Sequence, residues 1–97
     1  MSYTLHAGAE QDVAKALDFY LRQAGVTVAE RFLDEFERAA DLVVKQPGLG
    51  TPVGHGRRSL PLRIFPYVLV YRDLGSSVRI LVVRHQHRRP SHGGGRR

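Results

Sequence analysis

His85 and His87 stand two residues apart in the run Arg84-His85-Gln86-His87-Arg88-Arg89. On an extended segment, residues two apart point to the same side. Imidazoles change charge near neutral pH, so such a pair can serve as acid and base. The arginines add planar forks suited to phosphate. The chemistry implied is phosphodiester cleavage, with Arg84, His85 and His87 as the candidates for catalytic residues. A plainer reading competes: histidines in a basic, wet strand exit, one of them stacked on Tyr67 or Tyr71. Zinc is poorly served, because two imidazoles have no evident carboxylate partner and the chain has no cysteine. No metal and no cofactor is expected.

The run leaves the end of Val78-Arg79-Ile80-Leu81-Val82-Val83. A segment this apolar needs both faces covered, which predicts an interior strand. Groups at the exit of such a strand are held on rigid scaffold. Tyr67-Val68-Leu69-Val70-Tyr71-Arg72 predicts its neighbour, joined through a hairpin loop at Asp73-Leu74-Gly75-Ser76-Ser77. Before it, Leu60, Leu62 and Ile64 alternate with Ser59, Pro61 and Arg63, a half-buried strand. Pro61 has no N–H and so needs an edge position or an outward-facing amide.

The first half reads as helical. Tyr3 to His6 allows a short opening strand. Ala9, Val13, Ala16, Leu17, Tyr20, Leu21 and Ala24 then recur at helical spacing and stop at Gly25, a residue favoured in left-handed helix ends. Thr27 and Glu30 read as a capping box for a second helix. Its apolar face is Ala29, Phe32, Leu33, Phe36, Ala40, Val43 and Val44, and Pro47-Gly48 stops it. Glu30, Asp34, Glu35, Glu37 and Asp41 read as a solvated outer face, with Asp34/Arg38 and Asp41/Lys45 as attractive pairs. Residues 47–56 read as a connecting loop, without the Gly-Lys-Ser/Thr ending of a phosphate loop.

The predicted architecture is α+β, in the order β-α-α-β-β-β. A helical hairpin packs on one face of a small, mainly antiparallel sheet. Residues 1–90 form a single domain, and 91–97 a flexible basic tail with nothing to bury. Ninety-seven residues leave no room for a second core. No apolar run reaches the roughly 20 residues that span a membrane. The opening residues lack a signal-peptide pattern, so a cytoplasmic protein is expected.

The net charge of +6 conceals an asymmetry. Residues 1–56 carry five basic against eight acidic side chains, whereas residues 57–97 carry ten arginines against Asp73 alone. An anionic partner is implied for the second half.

In this order, particular residues resemble the ParE/RelE superfamily of bacterial type II toxin–antitoxin modules. They are Ala29-Glu30-Arg31-Phe32, Gln46-Pro47-Gly48-Leu49-Gly50, Arg58 to Arg63, Pro66 to Tyr71, and Ile80 to Pro90. The resemblance implies a growth-inhibiting toxin, of the kind associated with plasmid stabilization, neutralised by a cognate antitoxin. RelE-like members resemble ribosome-dependent mRNA endoribonucleases, and ParE-like members look like non-enzymatic inhibitors of DNA gyrase. RelE-like members carry an arginine after the aromatic residue of the penultimate strand, where this chain has Val68. Their basic pair falls near Ser59 and Pro61, and their catalytic tyrosine near His92. These departures disfavour cleavage. The ending His85, His87, Arg88, Arg89, Pro90 is similar to the ParE branch, which leaves no catalytic residue expected. The target implied is gyrase, with the ribosome and its message as the alternative. A degenerate member that binds antitoxin without toxicity is a further possibility. The partner-binding set implied is Arg58, Arg63, Tyr67, Tyr71, Arg84, His85, His87, Arg88 and Arg89, facing an antitoxin helix or strand that carries carboxylates.

Overall fold

The computed structural model describes residues 2–87, 89 and 91–97. Its elements are β1 (Tyr3–Leu5), α1 (Ala7–Ala24), α2 (Val26–Lys45), β2 (Thr51–Gly54), β3 (Arg57–Pro61), β4 (Tyr67–Asp73) and β5 (Val78–His85). The sheet order is β1-β5-β4-β3-β2, with β1 parallel to β5 and all other pairs antiparallel. The two helices cover one face, giving the expected two-layer α+β fold. No helix among the described residues is long and apolar enough to cross a membrane.

Gly25 alone joins the helices, at φ 92° and ψ 176°. This is extended backbone of positive φ, essentially open only to glycine, and not the left-handed helical end expected. Because the chain reverses in one residue, Thr27 already lies inside α2. The expected capping box does not form, and α2 starts without a side-chain cap. At the other end of the hairpin, His6 caps α1 by accepting the Gly8 amide on Nδ1 at 2.9 Å.

The core between helices and sheet holds Phe32, Phe36, Ala40 and Val43 from α2, with Leu69, Tyr71, Val78, Ile80 and Val83 from β4 and β5. Burying each of the larger side chains contributes about 1.5–3 kcal/mol. Leu21 and Leu33, assigned to apolar faces from their spacing, are exposed. β5 is interior as expected, and a bulge at Leu81 interrupts its pairing with β4 between Val70 and Tyr71. The bulge puts Leu81 and Val82 together on the far face, where they cluster with Val70.

Three expectations are corrected. Part of the connecting loop forms β2, which pairs with β3 across His55-Gly56, both at positive φ as a tight hairpin turn requires. β3 ends at Pro61, beyond the reach of β2, so its missing N–H leaves no bond unmade. Ile64 continues no strand: it sits at φ 72° and is 96% exposed. The Phe65 amide there bonds the Arg63 carbonyl at 2.7 Å, a three-residue turn. Finally, Glu35 is no solvated carboxylate. It takes Arg38 at 2.7 Å and the Arg63 amide at 2.6 Å, displacing the expected Asp34/Arg38 pair.

Candidate functional site

β5 delivers His85 to the end of the sheet, directly opposite Tyr67 on β4. Their rings meet edge to face at 5.2 Å. Tyr67 in turn packs on Phe32 at 5.2 Å, within an aromatic cluster that includes Tyr20 and Phe65. His85 is thereby tied to the core. Its Nδ1 accepts the His87 amide at 3.1 Å, and the two imidazoles stack at 5.0 Å. The Gln86 amide bonds the Pro66 carbonyl at 2.8 Å, fixing the exit against the turn into β4.

Beside this exit lies a cleft of about 390 Å³. Asp12, Lys15, Ala16 and Phe19 of α1 form one wall, and Tyr67, Val83, Arg84, His85 and His92 the other. Asp12 is its structural pivot. Its side chain is 8% exposed and accepts the Val83 amide at 3.0 Å, Arg96 Nη1 at 2.6 Å and His92 Nε2 at 3.2 Å. Burial pushes this carboxyl up, but the hydrogen bonds from Arg96, Val83 and His92 outweigh it and hold Asp12 below the usual carboxylate range.

The reason for this knot lies in the sheet. β1 pairs with β5 only as far as Ile80, so among the described residues the margin of β5 beyond it has no strand partner. Asp12 satisfies the Val83 N–H there, while Arg96 Nη1 donates to the Leu81 carbonyl at 3.1 Å. A carboxylate–guanidinium pair stands in for the missing strand. Segment 91–97 therefore does bury something, against expectation: Gly93 also lies so close to Val82 that a methyl would overlap it.

The expected partner-binding residues divide. Tyr67, Arg84, His85 and His87 gather at the exit, and Arg89 is exposed close by in the sequence. Arg88, like Pro90, lies outside the described residues. Arg63 is exposed beside Ile64, at the turn into β4. Arg58 is structural, donating to the Gly50 carbonyl at 2.8 Å. Tyr71 is fully buried; its hydroxyl donates to the Pro47 carbonyl at 2.7 Å and accepts the Gly50 amide at 2.9 Å. Only glycine fits at position 50, where a Cβ would lie 2.7 Å from that hydroxyl. Tyr71 thus fastens the α2–β2 connection and offers no surface. Among the described residues, no cluster of three potential metal ligands occurs.

Residues 3–90 match the profile described as "ParE toxin of type II toxin-antitoxin system, parDE". The chain belongs to this ParE toxin family. A solved structure titled "Chromosomal ParDE TA system from P. aeruginosa" is similar in fold, with a TM-score of 0.77 at 24% identity. The likeness covers 88% of this chain and 95% of that one. No curated protein matches the sequence. The family membership accounts for the helical hairpin and for the order of strands that carries His85 to the exit.

Proposed function

We propose that this ParE-family chain is the toxin of a type II toxin–antitoxin module. In this reading it arrests growth in the cytoplasm by poisoning DNA gyrase, and a cognate antitoxin neutralises it. The observation that carries the reading is the family match over residues 3–90. What supports a binding toxin over a cleaving one is the chemistry of the sheet. Val68, opposite Arg84, offers only methyl groups, and Ser59 and Pro61 on β3 offer no cation. His85 Nδ1 is occupied by the His87 amide, and Asp12 by three donors. A general base needs a free lone pair within reach of the substrate proton.

A second reading, ribosome-dependent mRNA cleavage, draws on the cleft where Lys15, Arg84, His85 and His92 surround one volume. Induction in a bacterial host separates the two. Loss of supercoiling with filamentation supports gyrase as the target, and codon-specific cuts in translated messages support the nuclease. On the gyrase reading, His85→Ala has a graded effect; on the nuclease reading it abolishes activity.

A further inference from the structure

We propose that Arg57, Arg72 and Arg79 form a phosphate-binding row on the open face of the sheet, shielded in the free chain by residues 93–97. The three residues stand in register across β3, β4 and β5, Arg57 opposite Arg72 and Arg72 opposite Arg79. Alternation from Val70 places them on the face away from the helices. The row lies at the hairpin-loop end of β4 and β5, opposite the His85 exit, and so is separate from the cleft described above.

Like charges directly opposite one another destabilise a sheet. Here three arginines stand so, and among the described residues none of them pairs with an Asp or Glu side chain. Among the described residues, the Nε atoms of Arg57 and Arg72 are buried without a hydrogen-bond partner. A buried donor left unpaired costs free energy that an arriving acceptor recovers. The acceptors now present are the Thr4 hydroxyl, which Arg79 Nη1 meets at 3.3 Å, and main-chain oxygens at the two ends of the row. Arg57 Nη1 meets the Gly94 oxygen at 3.4 Å, and Arg79 Nε meets the Arg97 oxygen at 3.0 Å.

Two features favour phosphate over carboxylate. Neighbouring strands are about 4.8 Å apart, so adjacent guanidiniums can converge on one tetrahedral anion with several acceptor oxygens. A planar carboxylate is satisfied by a single fork. The row also crosses the middle of a sheet face, whereas an extended peptide adds at a sheet edge. The phosphate can belong to a nucleic-acid backbone or to a small free phosphate; both require the same forks.

The test is binding of a labelled single-stranded DNA of about 12 nucleotides to the full chain, read by fluorescence anisotropy across a salt series. Arg57→Gln and Arg72→Gln should each weaken binding about tenfold and lower the salt slope by roughly one. Arg96→Gln, which frees the covering segment from Asp12, should tighten it. Arg22→Gln, on the exposed face of α1, should leave it unchanged. A second measurement needs no variant: phosphate titrated into the wild-type chain should shift the Nε–H resonances of Arg57 and Arg72. Pyrophosphate that binds with the same Arg72 dependence while the oligonucleotide does not assigns the site to a free phosphate. Unchanged affinity in the row variants with unshifted Nε resonances overturns the proposal. So does polyglutamate outcompeting both phosphate ligands.

Discussion

Arg96 Nη1 donates to Asp12 Oδ2 at 2.6 Å, joining residues 84 apart in sequence along the open margin of β5. The pair satisfies the Val83 amide and the Leu81 carbonyl where β1 ends, and it anchors one wall of the cleft. Replacing Asp12 by Ala leaves Arg96 half-buried without its counter-charge and the Val83 N–H unpaired. The expected loss is about 3 kcal/mol in denaturant unfolding.

The same carboxylate gives the fold a pH dependence. Its pKa is lowered on folding, so its contribution is fully present above the unfolded value of about 3.9. That contribution disappears as pH falls from there through the lower folded value. The stability difference between wild type and Asp12→Asn should therefore be constant at neutral pH and shrink below about pH 4. A difference that stays constant down to the acid transition would remove Asp12 from the account.

Gly8 offers an independent handle on this contact, because a methyl there would overlap the Arg96 guanidinium. Gly8→Ala should displace Arg96 and, by hydrogen exchange, lower protection of the Val83 amide, leaving the helical hairpin intact.

Ile64 is a β-branched residue at positive φ with almost no buried surface to lose. Ile64→Gly should stabilise the protein by about 1 kcal/mol, the left-handed strain relieved exceeding the added chain entropy. Thermal unfolding measures it directly.

Tyr71→Phe keeps the ring in the core but strands the Pro47 carbonyl and the Gly50 amide. A cost of about 2 kcal/mol is expected in chemical unfolding.

Elements with a strong hydrophobic period were legible in the sequence: α1, α2, β4 and β5 lie close to where their apolar residues predict. β2 was not, because Thr51-Pro52-Val53-Gly54 is exposed throughout and held only by pairing with β3. Alternation misled at Ile64, since the chain turns after Leu62 while the apolar spacing continues. Within the site, Tyr67, Arg84 and His85 meet at one cleft, as their positions on adjoining strands imply. Asp12 left a signal that went unread, an acid within the apolar stripe Ala9, Val13 and Ala16. Its partner Arg96 left none, because nothing local in a Gly-rich segment records which distant carboxylate it meets.

The gyrase reading is tested most directly by supercoiling of relaxed plasmid with purified gyrase and this chain, with and without its antitoxin. Inhibition by the chain alone, relief on adding antitoxin, and only graded weakening by His85→Ala are the expected results. Undiminished supercoiling, together with message cleavage on ribosomes that His85→Ala abolishes, would contradict the gyrase reading.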